Sequence, residues 1–162
     1  MTASEAIESL TALCPGIAQS WSEHLEFWGD DERGQFNDIG VVSHFIVDSY
    51  QAKQTNWFPE VFGRIETFIS EGDEEVRGLM IVGLLENIQN QASWTDEGFR
   101  AFERWLGPKS LKAWHELEAL WEGKSSLLDV VREQNLKRQS EIKNLRGKVH
   151  WEGDLEKMRL DD

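Results

Sequence analysis

Proline is scarce in this chain, and that scarcity limits its fold more than any other feature. Three occur in 162 residues, at Pro15, Pro59 and Pro108, so long stretches carry no obligatory helix break. Alternation of Val and Thr with polar residues is rare. Apolar residues instead recur three and four positions apart, the period of one helix face. The pattern predicts an all-α protein built as a compact multi-helix bundle.

The spacing divides the chain into seven helices. The first follows Ser4 as N-cap, carries Ile7, Leu10 and Leu13, and stops at Pro15-Gly16. A second holds Ile17, Trp21, Leu25 and Trp28 at regular steps and breaks in the polar run Gly29 to Gly34. The third, about Phe36 to Gln54, buries Ile39, Val42, Phe45, Ile46 and Tyr50. The fourth opens near Phe58-Pro59, where proline suits a first turn, and ends at Ser70-Glu71-Gly72 after Val61, Phe62, Ile65, Phe68 and Ile69. Asp73 caps a fifth, with Glu74 and Glu75 at the positive end of its dipole. Its residues Val76, Leu79, Met80, Gly83, Leu84 and Ile88 make it the most apolar, hence central. Thr95 starts a sixth bearing Phe99, Phe102 and Trp105, and Pro108 opens a seventh with Leu111, Trp114, Leu117, Leu120 and Trp121 that ends at Gly123.

Charge changes at that point. Residues 1–123 hold 22 acidic and 8 basic side chains, net −14, whereas residues 124–162 hold 8 and 9, net +1. The first segment reads as an acidic helical domain and the second as a charged helical extension. Ser126 to about Gly147 predicts a helix with a thin stripe of Leu127, Val131, Ile142 and Leu145. Val149 to Asp162 is an arm that can dock on the bundle or on a partner.

An overall charge of −13 disfavours nucleic acid and anionic membranes as partners and favours a basic protein. The N-terminal residues lack the basic start and apolar run of a signal peptide, no apolar stretch is long enough to span a membrane, and a single Cys excludes an internal disulfide. A cytoplasmic protein is expected. No metal or cofactor constellation survives the spacing tests. His115-Glu116 begins like a zinc-protease helix, but Ala119 stands where the second His is required, and no Glu-x-x-His pair occurs. Gly123-Lys124-Ser125 ends like a phosphate loop, yet Glu118 stands where the leading Gly belongs, and a helix precedes it. Cys14, beside Pro15, has no histidine in sequence reach and reads as a buried small hydrophobe. No enzyme activity is expected.

What remains are acids and tryptophans. Asp30, Asp31 and Glu32 lie in a loop, and Glu71, Asp73, Glu74 and Glu75 lie at a helix junction. Solvation and capping explain such clusters, and a surface for a basic partner explains them equally. Aromatic anchors for that surface would be Trp28, beside the first cluster, and Trp57 and Trp94 in loops. Eight Trp are too many to hide entirely in a domain this small.

The run Glu71-Gly72-Asp73-Glu74-Glu75-Val76-Arg77, continuing through Val82-Gly83-Leu84-Leu85-Glu86-Asn87, resembles a HEAT-type helix. With Leu106-Gly107-Pro108, Ser110 and the spaced Trp114, Leu117 and Trp121, the region from about 60 to 122 resembles a family of small acidic all-helical bacterial proteins. Members tend to be encoded near polymorphic or contact-dependent toxins, and the resemblance implies an immunity protein that binds and neutralises a toxin. A helical adaptor with a HEAT-like concave face is the alternative.

Overall fold

Local chemistry sets where the helices begin. A computed structural model describes residues 1–146, and among the described residues the regular structure is helical, with no strand. Helix α1 (Ala3–Thr11) is capped by Thr2 rather than Ser4. Thr2 Oγ1 accepts from Glu5 N at 3.2 Å while the Glu5 carboxylate accepts from Thr2 N at 3.3 Å. This reciprocal box satisfies two otherwise orphaned donors. Its buried stripe is Ala3, Ala6, Ile7 and Leu10. Helix α2 (Ala18–Trp28) follows, and none of its residues is fully buried.

Helix α3 (Gln35–Gln51) runs through the interior, with Ile39, Val42, Ser43, Ile46, Val47 and Ser49 buried. It stops three residues short of the predicted end, and the turn that follows places Lys53 at φ +59°. Helix α4 (Phe58–Glu71) starts with Pro59 in its first turn and buries Phe58, Val61, Phe62, Ile65, Phe68 and Ile69, the predicted stripe plus its first residue.

The fifth predicted helix is present, capped by Asp73, whose Oδ1 accepts from Val76 N at 2.9 Å. Its backbone is not uniform. Helix α5 (Glu74–Gly78) passes into a π-helical stretch (Leu79–Leu85) and then into α6 (Glu86–Ala92). Gly83 lies inside the wide turn, and a Cβ there would stand 2.9 Å from Ile39 Cγ2 and 3.1 Å from Phe36 Cδ1. Only glycine lets α3 approach so closely. The centre of the bundle is therefore a pair, α3 against the 74–92 run, instead of one helix. Helices α1, α2 and α4 pack around that pair.

Two boundaries differ from the sequence reading. Thr95 closes α6 by turning back, its Oγ1 donating to Ala92 O at 2.6 Å. A 3₁₀ helix (Phe99–Trp105) begins only after Gly98. Helix α7 (Pro108–Arg146) runs through Gly123, so the seventh helix and the predicted tail helix are one. The arm from Val149 to Asp162 lies outside the described residues.

The chain divides into two units, Met1–Leu117 and Glu118–Asp162. The first holds one core, whose largest fully buried side chains are Trp114, Phe58, Phe62 and Phe102. Complete burial of such a ring contributes about 1.5–3 kcal/mol. Glu66 fastens the start of α7 to α4. Its two carboxylate oxygens accept from Lys109 N and Ser110 N, each at 2.8 Å, and from Ser110 Oγ at 2.6 Å. Burial raises its pKa, but these bonds and the nearby Lys109 charge outweigh that and hold it below the usual 4.5. In the second unit α7 continues to Arg146, with Leu120, Trp121 and Leu136 exposed. No helix among the described residues is long and apolar enough to cross a membrane.

Candidate protein-docking surface

Of the two acidic clusters singled out in the sequence, the first leads directly into α3 and the second reaches the same end of that helix through Glu75. Asp30, Asp31 and Glu32 are exposed on the loop that leads into the helix. That loop is fixed at its far end. Arg33 Nε donates to Asp38 Oδ1 at 3.0 Å, His24 Nε2 lies 2.8 Å from the same oxygen, and Asn37 Nδ2 donates to Arg33 O at 2.7 Å. One carboxylate thus ties α2, the loop and α3 together. From the other side, Gln35 Nε2 donates to Glu75 Oε1 at 2.9 Å, which brings the first turn of α5 against the first turn of α3. Gln35, three residues beyond the first cluster, thus touches a member of the second from forty residues away in sequence.

Next to this contact lies an apolar spot. Phe36 is 55% exposed and Val82 51% exposed, and the Phe36 ring lies against Gly83, next to Val82. Glu74 and Glu75 are exposed; of the basic residues nearby, half-buried Arg33 is paired with Asp38, and exposed Arg77 donates to Gly72 O at 3.1 Å. Asp30, Asp31, Glu32, Glu71 and Glu74 form no ion pair among the described residues. This end of α3 therefore presents carboxylates that have no ion pair among the described residues, together with exposed carbon.

The other predicted positions fare differently. Asp73 is occupied as the α5 cap, and Glu71 is exposed at the end of α4. Trp28 is half-buried beside His24, with ring centroids 6.4 Å apart, while its neighbour Phe27 is 83% exposed. Trp57 is half-buried, its ring 5.7 Å from Phe45 and 4.8 Å from Phe58, so it packs on the core and is not a free anchor. Trp94 stands 87% exposed in the turn after α6. It is separate from the acids, because the Tyr50–Glu97 hydrogen bond ties that turn to the opposite end of α3. The sequence reading missed Phe27, Phe36 and Val82. Phe36 gave no signal: it falls three residues before Ile39, on the same helical face as Ile39, Ser43 and Ile46, where spacing alone predicts burial.

Elsewhere, Cys14 is buried and its Sγ donates to Leu10 O at 3.2 Å, and burial pushes its pKa up to about 12. A thiol so hard to ionise is no nucleophile at neutral pH. Glu103 and His115, twelve residues apart in sequence, place an oxygen and a ring nitrogen within 4.8 Å of one another. A search for helical ligand spacing cannot find such a pair.

No curated protein and no solved structure matches the chain. A family model does, over residues 7–122, the span that carries α1 to α6, the 3₁₀ helix and the opening of α7. The protein thereby belongs to the family described as a domain of unknown function (DUF7674).

Proposed function

We propose that this is a non-enzymatic, cytoplasmic binding protein that docks its acidic surface on a basic partner, and that the partner is a toxin domain which it neutralises. The observation that carries the reading is the Gln35–Glu75 contact. It gathers two acidic clusters around the exposed Phe36 and Val82. Acids of one sign steer a basic partner and raise its association rate, whereas desolvated apolar anchors slow its release. A first unit with 20 acidic and 8 basic residues, net −12, supports the same reading and opposes nucleic acid as ligand.

Growth tests the toxin identity. Cells expressing a toxin gene encoded beside this one should survive with this chain and die without it. Equal survival in both strains overturns immunity. Binding is tested separately with the purified pair. Raising salt until the Debye length falls from about 10 Å toward 3 Å should slow association much more than dissociation.

A further inference from the structure

The acidic surface has a shaped centre, and its shape narrows the chemistry of what binds there. Phe36 is 55% exposed, while Ile39, one turn on, is fully buried. The edge of the Phe36 ring, Ile39 Cγ2 and Leu79 Cδ1 all stand within 3.3 Å of the place a Cβ on Gly83 would take, so the ring lies against the Gly83 backbone. Phe36 and Val82 are about half in water, a small area of exposed carbon about the size of one side chain. Beside it Glu75 is held in place by Gln35, Glu74 precedes it on the same first turn, and Glu32 ends the loop before α3. Of the two arginines close by, Arg33 is paired with Asp38, and the exposed Arg77 donates to Gly72 O.

We infer that the Phe36–Val82 spot seats one apolar side chain of a basic partner segment, with Glu32, Glu74 and Glu75 engaging Lys or Arg on either side of it. The inference rests on the reading of a basic partner above, but it does not need that partner to be a toxin. Charge complementarity selects the cations, and the carbon between the acids selects the apolar residue. A small polyamine satisfies the acids alone and leaves the carbon uncovered. A segment with both features satisfies both.

Three probes separate these cases: a fluorescein-labelled peptide of repeated Lys-Leu-Lys units, its Lys-Ser-Lys counterpart, and spermine as competitor. Fluorescence anisotropy on the full chain should show the Leu peptide binding about five- to tenfold tighter than the Ser peptide, the worth of burying about one to two methylene groups. Val82→Ser and Phe36→Ser should remove most of that preference. Trp94→Ser, at the other end of α3, should leave it intact. Spermine should displace the Ser peptide more readily than the Leu peptide. Should Phe36→Ser fail to fold, the exposed Val82→Ser decides. Equal affinity for the two peptides, or a preference that survives Val82→Ser, overturns the seat, as does failure of both peptides to bind at low salt. The growth test is independent of all these outcomes, so the seat and the toxin reading can fail separately.

Discussion

The two ends of α3 are built on opposite principles. Its C-terminal end is packed with rings. Tyr50 lies 4.8 Å from Phe102 and 6.0 Å from Trp105, and Phe58 lies 4.8 Å from Trp105 and 5.6 Å from Phe62. The N-terminal end is held by polar contacts, His24 and Arg33 on Asp38 and Gln35 on Glu75, and leaves its apolar residues half in water. Ring burial supplies free energy of folding without regard to partners. Directional polar bonds contribute less net free energy, but they fix where charges point. One end stabilises the bundle and the other is free to recognise.

Removing a ring from the packed end is the most direct attempt to break this contrast. Phe58 is fully buried, so Phe58→Ala should cost about 3–5 kcal/mol, read from the urea midpoint. Phe27→Ala, next to the acid loop, should stay within about 0.5 kcal/mol. Similar losses would mean that both ends serve the core.

Gly83→Ala probes the floor of the recognising end. The added carbon would stand 2.9 Å from Ile39 Cγ2, so a loss of about 1–3 kcal/mol is expected. A neutral result would show that α3 and the π-helical stretch can slide apart freely.

The packed half also contains a charge that matters, which sharpens the comparison. Glu66→Ala should cost about 1 kcal/mol, as loss of a helix cap does. Because the folded pKa of Glu66 lies below its ordinary 4.5, its contribution is present above about that pH and disappears as pH falls through the folded value. Urea midpoints of the wild type should therefore fall more steeply below pH 4.5 than those of Glu66→Gln. Parallel curves would remove Glu66 from the account.

The smallest effect on stability belongs to the acids themselves. Reversing Asp30, Asp31 and Glu32 to Lys should move the thermal midpoint little, since none has an ion pair to lose among the described residues. Association with a basic partner should nevertheless slow strongly. A large drop in melting temperature would make the loop structural.

Some of this was legible before any coordinates. Asp73, Pro59 and the α4 stripe act as their residue types demand, because caps and first-turn prolines work within four residues. The Thr2 cap was legible too: Thr2 and Glu5 have the spacing of a reciprocal box, and Ser4 has no such partner. The π-helical stretch was not. Leu79, Met80 and Leu84 are buried in it, as the helical period already required, so the apolar pattern does not distinguish the two backbones. Gly123 misled for a different reason. Glycine stops a helix when it turns left-handed, and Gly123 keeps negative φ within α7, at a cost of only about 1 kcal/mol. Helix α2 has the four-residue spacing of a core helix and buries nothing completely, since spacing gives the direction of a face and not the depth of what it meets.

By itself, the sequence determined that the chain is helical, which stripes are apolar, where most helices start, and that the first 123 residues carry a large excess of acids. Each of these depends on residues a few positions apart. Tertiary structure alone decided that Asp30–Glu32 and Glu74–Glu75 share one surface, that Trp57 packs inward while Phe36 stays in water, and that Glu66 caps a helix more than forty residues away. The first and last of these go with the close approach of α3 at Gly83 and of α4 at Gly107, where a Cβ would stand 2.6 Å from Glu66. Such approaches are set by the joint packing of distant segments, which no local spacing records.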